Sequence, residues 1–114
     1  MPSLDEVVAE ICRMPLDRHD RSNVDLLART GYLDHRGELT VERVYDYLAG
    51  DPSLIIAWQD RCDDNRSTPA WYFTTVGLRE YEVGYLTRDG RITERLRFDD
   101  RRLACAEYIV RDVE

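Results

Sequence analysis

Two neighbouring stretches decide the fold: Leu54-Ile55-Ile56-Ala57-Trp58-Gln59-Asp60-Arg61-Cys62 and Trp71-Tyr72-Phe73-Thr74-Thr75-Val76. In the first, Leu54, Ile55, Trp58 and Cys62 recur at helical spacing. In the second, aromatic and β-branched residues run together and read as a strand. The apolar period therefore changes from about 3.6 to about 2 between them. This predicts a helical subregion over residues 1–66 and a sheet-plus-helix subregion over 67–114. The polar stretch Asp60 to Pro69 is short enough to be a connection, so one domain over 1–114 is expected.

Upstream of the switch, the sequence predicts about four helices. Ser3 followed by Glu6 is a capping box for Leu4, Val7, Val8 and Ile11, and Pro15 ends that segment. A second helix is expected from Ser22, with Val24, Leu27 and Ala28 inward and Gly31 as its stop. A turn is expected at His35-Arg36-Gly37. Thr40 caps a third, with Val41, Val44, Tyr45 and Leu48 inward and Gly50 at the end. Asp51-Pro52 opens the fourth, because proline at the first helical position loses no hydrogen bond.

Downstream, Trp71 to Val76, Tyr81 to Thr87 and Arg91 to Phe98 predict three strands. Gly77 marks the first turn and Asp89-Gly90 the second, a pair that tolerates positive φ. Ile92, Leu96 and Phe98 are expected on one face of the third strand, and Arg91, Thr93, Arg95 and Arg97 on the other. Asp99 or Asp100 caps a last helix with Leu103, Ala106, Ile109, Val110 and Val113 inward. The expected class is α+β: a helical half, a three-stranded antiparallel meander, and a C-terminal helix packed on it.

Composition limits the function. The 114 residues carry a formal net charge of -7, and all 16 basic residues are arginine. Such a field repels phosphate backbones and anionic lipid and attracts basic partners. Nearly all of the excess lies in the helical half, so neither nucleic acid nor membrane is an expected partner. Cys12, Cys62 and Cys105 are odd in number, widely spaced and set in apolar segments, which argues against disulfides and zinc. A reducing, cytoplasmic compartment is expected. The start, Met1-Pro2-Ser3-Leu4-Asp5-Glu6, has no basic n-region, and no run approaches a membrane span.

No catalytic constellation emerges. The only histidines, His19 and His35, lie in charged loop sequence, and no serine sits in a GxSxG elbow. Asp60, Asp63 and Asp64 cluster, but without the alternating oxygens and central glycine of a calcium loop. The six glycines are isolated, so no phosphate cradle is expected. Neither cofactor nor metal is expected. A DNA-binding reading uses the helix pair and the arginine-bearing hairpin. Against it, the recognition helix Thr40 to Ala49 carries Glu42 and Asp46 beside Arg43 alone. The alternative for the arginine face is pairing to Glu80 and Glu82 across strands. A small hydrolase with acidic catalytic residues is the remaining enzymatic reading.

The block from Leu54 to Phe73, the strand Tyr81-Glu82-Val83-Gly84-Tyr85 and the helix Ala104-Cys105-Ala106-Glu107-Tyr108-Ile109 resemble a small bacterial family: immunity partners of polymorphic or contact-dependent toxins. Cys62, Asp63 and Asn65 stand where that pattern has serine, glutamate and lysine, and Ala70 where it has glycine. The resemblance implies a non-catalytic monomer or weak dimer that neutralises a basic, nucleic-acid-directed toxin domain by stoichiometric binding. The binding residues it would draw on are Asp34, Glu42, Asp46, Tyr47, Asp60, Asp63 and Asp64, with Tyr32 as a further aromatic anchor.

Overall fold

The computed structural model describes residues 3–16, 37–64 and 69–113, with the side chains of Asp63 and Asp64 outside that description. Among these residues, α1 (Leu4–Cys12), a 3₁₀ turn (Met14–Leu16), α2 (Val41–Gly50) and α3 (Ser53–Asp64) precede the sheet. Strands β1 (Ala70–Gly77), β2 (Glu80–Leu86) and β3 (Ile92–Phe98) follow, and α4 (Arg101–Val113) comes after them. The architecture is α+β. The helix expected from Ser22 to Gly31 and the turn at His35-Arg36 lie outside the described residues.

Local signals start the helices where expected. The Ser3 hydroxyl accepts from the Glu6 N–H at 3.2 Å, and Thr40 Oγ1 from the Arg43 N–H at 3.3 Å. Each satisfies an amide that the first helical turn leaves without a partner. Asp100, and not Asp99, caps α4: its Oδ1 accepts from the Arg102 N–H at 3.0 Å.

The sheet is an antiparallel meander in the order β1-β2-β3. Phe73 faces Val83, and Val83 faces Leu96. By the alternation of side chains along a strand, these residues form the inner face. That face packs on α4, where Tyr108 lies 6.0 Å from Phe73, centroid to centroid, and 6.0 Å edge-on from Trp58. Trp58 is fully buried, and its indole N–H donates to the Cys12 carbonyl at 2.8 Å, tying α3 to the end of α1. Trp71 is only half-buried, flanked by Tyr85 and by the Arg111 guanidinium 4.9 Å from its ring.

Two irregularities correct the strand reading. Gly77 pairs with Glu80 while Thr75 pairs with Tyr81, so Val76 is an extra residue. Leu86 pairs with Ile92 while Tyr85 pairs with Glu94, so Thr93 is extra. The second bulge takes Ile92 off the Leu96–Phe98 face and leaves it 41% exposed. The buried face of α4 is displaced from the expected one: Ala104, Cys105 and Tyr108 join Ala106, Ile109 and Val113 in it, while Leu103 and Val110 are only half-buried.

Candidate binding faces

The α1–α2 layer carries the first candidate site. Tyr45 fixes α2 to α4: its hydroxyl donates to Asp100 at 2.7 Å, and the Arg102 guanidinium stacks 3.8 Å over its ring. Val44 and Leu48 are buried in the core. The remaining face of α2 meets α1 along a groove of about 370 Å³ lined by Asp5, Val8, Arg43, Asp46 and Tyr47. Arg43 and Tyr47 are one turn apart on that face. Arg43 pairs with Asp5 at 3.3 Å across the groove, both side chains well exposed. An exposed pair of this kind adds little stability, about 0–1 kcal/mol. Asp46 is exposed, and Tyr47 is half-buried beside the buried Val8. Tyr47 thus belongs to the core margin and to the groove at once.

The other expected binding residues do not converge there. Glu42 is exposed one turn before Asp46 on α2, and Asp60 is exposed on α3, but neither lines the groove. Asp34 and Tyr32 lie outside the described residues, as do the side chains of Asp63 and Asp64. Asp5, Val8 and Arg43 are groove residues that sequence reasoning did not single out. The sequence signal was slight: an acidic first turn on a helix whose packing partner lies 38 positions away.

Charge separates this layer from the sheet region and α4. Residues 3–16 and 37–51 hold seven carboxylates (Asp5, Glu6, Glu10, Glu38, Glu42, Asp46, Asp51) against Arg13 and Arg43, a net of -5. All but Asp51 are exposed. Residues 69–113 hold eight of each sign and are neutral.

The outer sheet face is the second polar constellation. Glu82 lies on it yet is only 6% exposed. It accepts from the Tyr72 hydroxyl and from Arg97 Nε at 2.7 Å, with Arg95 Nε 3.7 Å away. Arg97 also reaches Glu80 at 3.7 Å, and Arg91 holds Asp89 at 2.9 Å. The arginine face of β3 is therefore paired to Glu80 and Glu82 across strands. Tyr72 reaches Glu82 by crossing its own strand partner, Gly84. A Cβ at Gly84 would stand inside 3.0 Å of the tyrosine ring and hydroxyl. This close approach explains a glycine in the middle of the central strand. Burial raises the Glu82 carboxyl, but the Tyr72 and Arg97 hydrogen bonds and the two guanidinium charges outweigh it, and the net shift is downward. Burial, then the Glu82 bond and charge, push the Tyr72 phenol up to about 12.

Compared with protein-family models, curated proteins and solved structures, the chain matches none.

Among the described residues no group of three His, Cys, Asp or Glu side chains is placed to hold a metal, and no helix is long and apolar enough to cross a membrane. The three cysteines are free thiols. Cys12 and Cys105 are buried, and burial pushes both pKa values up, that of Cys12 to about 12. Both are protonated at neutral pH and poorly nucleophilic. Cys62 is half-buried, and its sulfur accepts from the Phe73 N–H at 3.1 Å.

Proposed function

We propose that this chain is a non-catalytic binding protein that captures a basic protein domain through the α1–α2 face, in the manner of an immunity protein neutralising a toxin. The observation that carries the reading is the concentration of charge: a net of -5 on one exposed helical layer, beside a neutral sheet region. An acidic layer accelerates encounter with a basic partner and orients it. Within it, the groove at Val8 and Tyr47 supplies what charge alone lacks: an apolar floor and an aromatic side chain for a partner residue to pack on. The resemblance of the Leu54–Phe73 block, the Tyr81–Tyr85 strand and the Ala104–Ile109 helix to immunity partners points the same way.

On this reading Glu42, Asp46 and Tyr47 make contact, joined by Asp5, while Asp60 contributes long-range field. The protein acts in a reducing cytoplasm, consistent with three free thiols. The DNA-binding reading is disfavoured by the same geometry: Arg91, Arg95 and Arg97 already have carboxylate partners, and α2 presents Glu42 and Asp46 outward.

The test is co-expression with the product of the adjacent gene. If that gene encodes a large protein with a toxic C-terminal domain, this chain is expected to suppress the toxicity and co-purify with the domain at equal stoichiometry. A neighbouring domain that is harmless alone, or one that fails to co-purify, would sink the proposal.

A further inference from the structure

The last strand of the meander, β3, is an edge strand of the described sheet. Among the described residues β3 pairs only with β2, and its outer side has no strand against it. Residues 91–95 and Arg97 are exposed. An open edge of this kind is a template for a further strand. Its side chains decide which strand it accepts.

A second copy of β3 is a poor match. A two-fold axis normal to the sheet keeps outer residues on the outer face. Antiparallel self-pairing can then be centred only on a residue, not between two. Centred on Glu94, it sets Glu94 against itself. Centred on Arg95 or Arg97, it sets that arginine against itself, and centred on Leu96 it sets Arg95 against Arg97. Like charges directly opposed destabilise a strand pair. Strand β1 of a second copy offers Tyr72 and Thr74 on the outer face, with no carboxylate.

A strand of opposite sign matches. On the outer face a charge row already runs from Glu82 on β2 to Arg97 on β3, registered residue to residue. Arg95 stands beside it, 3.7 Å from Glu82 and facing Gly84 across the ladder. Glu82 is shared by both guanidiniums, with Glu80 3.7 Å from Arg97, and each arginine side chain is still 54% exposed. Carboxylates two residues apart on a fourth strand would fall beside Arg95 and Arg97 and continue the alternation of sign.

We infer that the β3 edge binds an extended segment of another protein by strand addition, and that the segment carries acidic side chains two residues apart. The backbone supplies the affinity and the two arginines the selection. The same arginines bar association with another copy of β3. This surface shares no residue with the α1–α2 groove and does not depend on its partner.

The test uses the intact protein and a capped synthetic peptide of about seven residues, the length of β3, in which glutamate alternates with valine. Binding is followed by fluorescence anisotropy, and the site by amide exchange across β3. The glutamate peptide is expected to bind at least about fivefold tighter than its lysine-for-glutamate copy. It should slow exchange in β3 and lose its affinity when N-methylated on alternate amides. Arg95→Gln leaves the closer Arg97–Glu82 pair in place, so it should preserve the fold and weaken binding about threefold. Equal binding of the two peptides, no binding of either at about 1 mM, or undiminished binding of the N-methylated peptide would overturn the inference. So would dimerisation of the protein through β3.

Discussion

Replacing Gly84 with alanine is expected to destabilise the protein, although the same change in an ordinary strand does the opposite. Glycine in a strand interior is usually worse than alanine by about 0.5–1 kcal/mol, because it loses more backbone entropy on folding. Here the added Cβ would stand inside 3.0 Å of the Tyr72 ring and hydroxyl. No real Cβ tolerates that distance, so the phenol must swing away. Glu82 then loses the Tyr72 hydrogen bond and the part of its cover that the ring supplies. A hydrogen bond to a charged group contributes about 1.5–3 kcal/mol. Displaced ring packing adds to the loss, and the recovered backbone entropy offsets part of it. The expected net destabilisation is about 2–3 kcal/mol, a fall in Tm of roughly 8–12 °C. Thermal and urea unfolding would measure it. The diagnostic arm is a double-mutant cycle. In a Tyr72→Ala background there is no ring to displace, so Gly84→Ala should become neutral or stabilising. An unchanged cost in that background would refute the proposed crossing of Tyr72 over Gly84.

Other expectations follow from the same contacts. Trp58→Phe keeps most of the ring but leaves the Cys12 carbonyl without its donor, so it should cost about 1–3 kcal/mol in chemical denaturation. Two carboxyls should titrate stability in opposite directions. Glu82 has its folded pKa lowered, so its contribution is present above the unfolded value and is lost as pH falls through the folded one. Asp112 is raised by burial, with Arg61 opposing, so its folded form favours the proton and stability is lost as pH rises through its folded pKa. Glu82→Gln should therefore flatten the acid side of the stability profile, and Asp112→Asn should stabilise the protein at neutral pH. With a thiol reagent under native conditions, Cys12 and Cys105 should react only on unfolding, because both are buried and protonated.

Much of the fold was legible in the chain because its signals are local. The change of period between Trp58 and Trp71 separates helices from strands, and Ser3, Thr40 and Asp100 mark helix starts by chemistry that acts within three residues. The bulge at Thr93 was not legible. One extra residue in a strand leaves composition unchanged but moves Ile92 to the other face. Glu82 was read as a cross-strand partner of arginine. Its burial was not anticipated, because that depends on Tyr72 and the guanidiniums closing over it from two other strands. Gly84 carried a usable signal, as an isolated glycine in a strand marks a close approach. The candidate site was only half legible. Asp46 and Tyr47 were singled out from charge and residue type, but Asp5 and Val8 join them only through helix packing that no local pattern encodes.

The central claim is that an acidic helical face captures a basic partner, and the association rate tests it most directly. Glu42 and Asp46 are exposed and lie one turn apart on α2, so reversing both to lysine should leave the fold intact. Stopped-flow mixing with the toxic domain of the adjacent gene product, at low and at physiological salt, reads the encounter step. The account predicts that Glu42→Lys with Asp46→Lys slows association about tenfold or more at low salt, with the gap narrowing as salt screens the field. An on-rate that is unchanged by the double reversal and insensitive to salt would contradict it.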